Sequence, residues 1–99
     1  MDKWVSKKVP TENYKVDPFR LKGTYGITAK QFYILLEAQD GKCAICRMQF
    51  SRWGRNIPNI DHDHITGRVR GLLCRKCNTG LGFFKDNPDF LKMAAHYLR

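Results

Sequence analysis

Residues 59–78, NIDHDHITGRVRGLLCRKCN, crowd two Asp, two His and two Cys between a pair of Asn residues. Carboxylate and amide oxygens are hard ligands suited to Mg²⁺ or Mn²⁺, imidazole can take a proton from water, and thiolates hold zinc. The segment could therefore be one metal site, two metal sites, or a ligand-rich stretch that only binds zinc.

The cysteines narrow the choice. Cys43-Ala-Ile-Cys46 and Cys74-Arg-Lys-Cys77 are two CxxC pairs, the spacing that brings four thiolates from two knuckles onto one tetrahedral Zn²⁺. The alternative, two disulfides in a secreted chain, calls for a signal peptide, and MDKWVSKKVPTENYK lacks an apolar stretch of useful length. A reducing, intracellular setting fits better. A chain of 99 residues buries little core, so a zinc staple is expected on grounds of size as well. Structural zinc sites close at four ligands, which leaves Asp61, His62, Asp63 and His64 for another role.

That role depends on the elements carrying them. Ile60 begins a short strand running into Asp61-His-Asp-His64, Thr66-Gly67 marks a turn, and Arg68-Val-Arg-Gly-Leu-Leu73 reads as a half-buried return strand. A helix over about 75–84 follows, with Gly80 and Gly82 lowering its propensity and able to end it early. Strand, turn, strand and helix bring Asp61 and Asn78 to the same end of the hairpin. Asp61 and Asn78 would then ligate Mg²⁺ or Mn²⁺, and His62 would serve as general base for an attacking water. This is a one-metal phosphodiesterase, with activity rising over the usual histidine range of about 6–7. Two blander readings stand beside it: Asp and His as solvated turn caps, or a His replacing a Cys at zinc. His96, on the last helix, reads as structural or exposed.

Around this centre, Thr28-Ala-Lys-Gln31 is a capping box opening a helix over about 29–39, with Phe32, Leu35 and Leu36 as its core stripe and Gly41 as its stop. Met48 to Trp53 reads as a weak strand and Gly54 to Pro58 as a loop exposing Arg52 and Arg55. Asn87 and Pro88 start a final helix whose apolar face is Phe90, Leu91, Ala94, Ala95 and Leu98. Residues 1–20 form a basic arm carrying Lys3, Lys7, Lys8, Lys15 and Arg20, broken by Pro10 and Pro18. It could lay cations along phosphates, or be a solvated tail whose aromatics dock on the domain.

Eighteen Lys and Arg against nine Asp and Glu give a formal charge of +9, which a four-thiolate zinc site lowers by only two. Such charge density calls for a polyanion, nucleic acid first. A membrane surface is the alternative, but the chain has no sustained basic amphipathic helix and no run of about 18 apolar residues.

The segments Tyr25-Gly-Ile-Thr28, Gly41-Lys-Cys-Ala-Ile-Cys46, Ile60-Asp-His-Asp-His64, Gly67-Arg-Val-Arg-Gly-Leu-Leu-Cys74, Cys77-Asn78, Gly80-Leu-Gly82 and Ala94-Ala-His-Tyr-Leu98 closely resemble the phage recombination endonuclease VII family over about residues 20–98. The resemblance implies an α+β fold, a small zinc-stapled ββα-metal (HNH, His-Me finger) domain with flanking helices over 21–99. It implies a DNA endonuclease with structural Zn²⁺ on Cys43, Cys46, Cys74 and Cys77, and catalytic Mg²⁺ or Mn²⁺ on Asp61 and Asn78. His62 matches the family's general base, and His64 a second histidine that contacts a phosphate or supports the site by hydrogen bonding. Lys7, Lys8, Arg52, Arg55, Arg68 and Arg70 are the cations expected along DNA.

Junction-resolving members extend further, with helices that build an intertwined dimer. A monomer or small homodimer that nicks DNA or cuts duplexes is therefore expected of this chain, acting as a phage protein in the bacterial host cytoplasm. The competing expectation is a non-catalytic zinc-stapled DNA-binding module of a phage.

Overall fold

A computed structural model describes residues 21, 23, 26–52 and 54–99. Its elements are α1 (Ala29–Ala38), a 3-10 turn (Gly54–Asn56), β1 (Asn59–His62), β2 (Val69–Leu73), α2 (Arg75–Phe83) and α3 (Pro88–Leu98). The expected basic arm, residues 1–20, lies outside the described residues.

Local sequence sets the ends of α1. The Thr28 hydroxyl accepts the Gln31 amide at 3.1 Å, and the Gln31 side chain accepts the Thr28 amide at 2.8 Å, so the capping box is reciprocal. At the other end Gly41 N–H reaches Leu36 C=O at 2.9 Å and Asp40 N–H reaches Glu37 C=O at 3.0 Å, the paired bonds of a Schellman stop. Asp40 and Gly41 both adopt positive φ to make it.

The strand expected over 48–53 is absent among the described residues, and a single Lys42–Gln49 bridge stands in its place. The chain here doubles back on itself. Cys43 N–H donates to Met48 C=O at 2.9 Å, Phe50 N–H to Gly41 C=O at 2.8 Å, and Ser51 N–H to Asn56 C=O at 2.8 Å. These bonds are spent locally around the Cys43–Cys46 knuckle and leave no ladder to extend. Trp53 lies outside the described residues.

The hairpin forms as expected, antiparallel, with Asn59 opposite Leu73, Ile60 opposite Leu72, Asp61 opposite Gly71 and His62 opposite Val69. That register skips Arg70, which occupies a β-bulge. The turn begins at Asp63, whose Oδ1 accepts the amides of Ile65 at 2.8 Å and Thr66 at 3.1 Å. These two amides, Thr66 foremost, hold the Asp63 carboxyl below its usual range.

The outer edge of β2 is closed by a side chain. Gln39 accepts the Leu72 amide at 2.9 Å and donates to Leu72 C=O and Lys42 C=O, both at 2.8 Å. It thus joins the end of α1, the first knuckle and the strand, and satisfies the backbone of a fully buried residue. Gly71 makes room for it, since a Cβ there would lie 3.1 Å from Gln39 Oε1.

Phe32 and Leu36 of α1, Cys43 and Phe50 of the first knuckle, and Leu72, Leu73 and Cys74 form one buried cluster with Leu21. Leu35 packs at its margin, and α2 lies across both strands through Cys77 and Leu81. Gly80 and Gly82 do not cut α2 short, because this packing outweighs their intrinsic cost of about 1 kcal/mol each. In α3, Asn87 caps as expected, accepting from Asp89 and Phe90. Its expected apolar face is not buried: Phe90 is 46% and Leu98 82% exposed, and no described residue of α3 is buried.

Candidate active site and metal centre

The four cysteine Sγ atoms lie within 4.8 Å of one another, with Cys46 and Cys74 at 3.7 Å. Zn–S bonds of about 2.3 Å require tetrahedral edges of about 3.8 Å, so the cluster has the dimensions to hold zinc. Backbone supplies the rest. Ile45 N–H points at Cys43 Sγ and Met48 N–H at Cys46 Sγ, both at 3.4 Å, while Arg47 at φ 67° bends the chain out of the knuckle. The second pair opens α2, with Cys74 at its N-cap and Cys77 in its first turn, where the helix dipole favours thiolates.

The thiols divide their protons unequally. Burial pushes Cys43 up, but the backbone N–H groups of Cys74, Cys46 and Ile45 together outweigh it and bring the thiol down to about 6. Burial and then the neighbouring thiols of Cys74, Cys43 and Cys46 push Cys77 up to about 12. Thiolates crowded this closely repel one another, and a divalent ion is what lets all four ionise together.

On the other side of the hairpin, Asp61 is a buried carboxylate held by Arg70: Nε donates to Oδ2 at 2.7 Å and Nη2 to Oδ1 at 2.9 Å. The bulge explains the contact. Regular alternation would turn Arg70 to the face opposite Gly71, whereas the extra residue re-aims it at Asp61. Arg70 Nη2 also donates to Asp86 at 3.3 Å, and His64 Nε2 lies 3.6 Å from the same Asp86 oxygen. The Asp61 hydrogen bonds, opposed by partial burial, bind the Arg70 proton more tightly than usual.

Asp86 is delivered by the end of α2. Asp86 N–H bonds Leu81 C=O at 2.8 Å and Lys85 N–H bonds Gly82 C=O at 2.9 Å, a second Schellman stop, with Lys85 and Asp86 both at positive φ. Non-glycine residues there cost about 1 kcal/mol or more each. The turn returns Asp86 to the hairpin, and with His64, Arg70, Lys85 and Gly82 it lines a cleft of about 380 Å³.

The remaining site residues fall as follows. His62 is half-buried, its ring stacked on that of His64 with centroids 5.1 Å apart. Asn78 is half-buried, four residues before the cleft-lining Gly82 and so on the same face of α2. Arg52, Arg55 and Arg68 are exposed; Arg70 is engaged by two carboxylates; Lys7 and Lys8 lie outside the described residues. Asp63 builds the turn. Sequence reasoning missed Arg70 as the partner of Asp61, and Lys85 and Asp86 altogether. A bulge leaves no mark in an alternating strand pattern, and Lys85-Asp86 reads simply as the run-up to the Asn87 cap.

An antiparallel hairpin followed by a helix packed across both strands is the ββα arrangement found in ββα-Me nucleases. The solved chain described as the ββα-Me type II restriction endonuclease Hpy99I superposes with a TM-score of 0.51 at 46% sequence identity, covering 58% of this chain and 30% of that one. Residues 19–99 match the profile of recombination endonuclease VII, and the chain belongs to that family. Gene 59 protein of Mycobacterium phage D29 is 46% identical over 81 residues, 81% of this chain and 48% of that protein. Gene 59 protein of Mycobacterium phage L5 is 44% identical over 80 residues, 80% and 48% respectively. The chain spans about half the length of these curated relatives.

Proposed function

We propose that the chain is a metal-dependent DNA endonuclease domain that hydrolyses phosphodiester bonds, of HNH type, with Zn²⁺ held by Cys43, Cys46, Cys74 and Cys77. The observation that carries this reading is a buried carboxylate, Asp61, set in a ββα-Me fold beside a cleft lined by Arg70, Lys85 and His64.

Asp61 and Asn78 would hold Mg²⁺ or Mn²⁺, a carboxylate and an amide oxygen being a donor set suited to either. When bound, the ion neutralises charge on the scissile phosphate and stabilises the leaving 3′ oxygen. His62 takes the proton from the attacking water, and His64, stacked on it, restricts how its ring can turn. Lys85 and Arg70 supply positive charge where phosphate oxygens would lie. The exposed Arg52, Arg55 and Arg68 are available to flanking phosphates, and a monomer or small homodimer in the host cytoplasm completes the reading.

A second reading, a non-catalytic zinc-stapled DNA-binding module, draws support from the engagement of both Asp61 oxygens by Arg70. Supercoiled plasmid incubated with protein and Mg²⁺ or Mn²⁺ separates the two. Nicked or linear product is expected from the wild type, falling about 10²–10⁴-fold in His62→Ala and similarly in Asn78→Ala. Intact plasmid with every metal, or undiminished cutting by His62→Ala, would decide for the binding module.

A further inference from the structure

The Arg70 guanidinium sits where Asp61 would need to be open. Each carboxylate oxygen receives one of its N–H groups, at 2.7 and 2.9 Å, and the Asp61 side chain is only 10% exposed. Arg70 itself lines the cleft, so it covers Asp61 on the solvent side. A divalent ion approaching Asp61 from the cleft meets a fixed positive charge in a partly desolvated site, where repulsion is felt more strongly than in water.

The same guanidinium has somewhere to go. Its Nη2 already reaches Asp86 Oδ2 at 3.3 Å, and Asp86 is held in place by the backbone of the α2 stop rather than by Arg70. Moving from Asp61 to Asp86 keeps a charged hydrogen bond throughout and leaves the cation in the cleft.

We propose that Arg70 is a positioning residue that stands in for the metal: it holds Asp61 while no divalent ion is bound, and passes to Asp86 when one arrives. The proposal rests on the reading of Asp61 as a metal ligand. Asp86 is then the acceptor that makes the exchange easy, and Arg70 ends as a cation turned toward the substrate's phosphates. A site built this way keeps its buried carboxylate compensated in both states.

Mn²⁺ binding to the zinc-loaded full chain, followed without DNA by the electron paramagnetic resonance signal of free Mn²⁺, tests the exchange. Arg70→Gln removes the charge but keeps donors for Asp61, and is expected to bind Mn²⁺ about tenfold tighter or more, the size of effect a close charge pair produces. Arg70→Ala should do the same if it folds. Asp86→Asn is expected to weaken binding several-fold in the wild-type background and to have little effect in the Arg70→Gln background, because Asp86 acts through Arg70. Binding that depends on Asp61, shown by its loss in Asp61→Asn, but is unchanged or weaker in Arg70→Gln overturns the exchange and leaves the metal-site reading standing. Equal weakening by Asp86→Asn in both backgrounds also overturns it, reducing Asp86 to a distant charge. Mn²⁺ binding insensitive to Asp61→Asn overturns both.

Discussion

Arg70 grips Asp61 with both arms of its guanidinium, Nε to Oδ2 at 2.7 Å and Nη2 to Oδ1 at 2.9 Å, from a bulge left between the Asp61–Gly71 and His62–Val69 pairs. The bulge therefore does two jobs. It brings a cation onto the buried carboxylate, and it keeps Gly71 opposite Asp61, where the missing Cβ admits Gln39. The site on one side of β2 and the structural clamp on the other are set by a single irregularity.

The clamp can be tested by itself. Gln39→Ala leaves the buried Leu72 amide without its acceptor, and an unsatisfied buried group costs about 1–3 kcal/mol. The midpoint of urea unfolding of the zinc-loaded chain should fall accordingly. Gly71→Ala should weaken the same contact by crowding Gln39 Oε1, and the two losses should be less than additive because they share one interaction.

Zinc retention should depend on pH in a definite direction. Cys43 is brought down from 9.0 to about 6 in the folded chain, so its contribution is fully present above 9.0 and is lost as the pH falls through about 6. Bound zinc pushes that loss further toward acid. Metal release measured with a colorimetric chelator should be absent at about pH 8 and begin only below about 6, accompanied by loss of the circular dichroism signal. Cys74→Ser should show the unfolded spectrum at every pH. Release with a midpoint above about 7 would contradict a closed four-thiolate zinc site at these residues.

DNA affinity should carry the signature of phosphate contacts. Replacing Arg52, Arg55 or Arg68 singly with Ala should weaken binding across sequences alike and reduce the slope of log K against log salt by about one for each residue that contacts a phosphate. Fluorescence anisotropy of a labelled duplex over a salt series measures this. A slope unchanged by all three substitutions would move the DNA path to another face.

Much of the frame was legible because it is written in short-range chemistry. The Thr28–Gln31 box, the paired CxxC spacing and the Asn87–Pro88 start each act within a few residues, so their types and offsets suffice. The hairpin was legible for a related reason, since the Thr66-Gly67 turn signal and the β-branched and apolar residues on either side of it act locally; the burial within β2, continuous over Gly71, Leu72 and Leu73 rather than alternating, was not. The strand expected over 48–53 failed because a knuckle draws its backbone bonds into a closed local loop, and the exposure of the α3 apolar face was not legible because periodicity says which face is apolar, not whether anything covers it.

By itself, then, the sequence determined the ligand chemistry: which residues can be thiolates, carboxylates and bases, and that the four cysteines must converge. Only the tertiary structure decided how the charges pair. Whether Arg70 faces solvent or Asp61 depends on one residue of register in β2, and whether Asp86 reaches Arg70 depends on two left-handed residues at the end of α2. Neither backbone conformation is dictated by local preference, which disfavours the left-handed pair outright, and contacts between residues far apart in the chain make both choices.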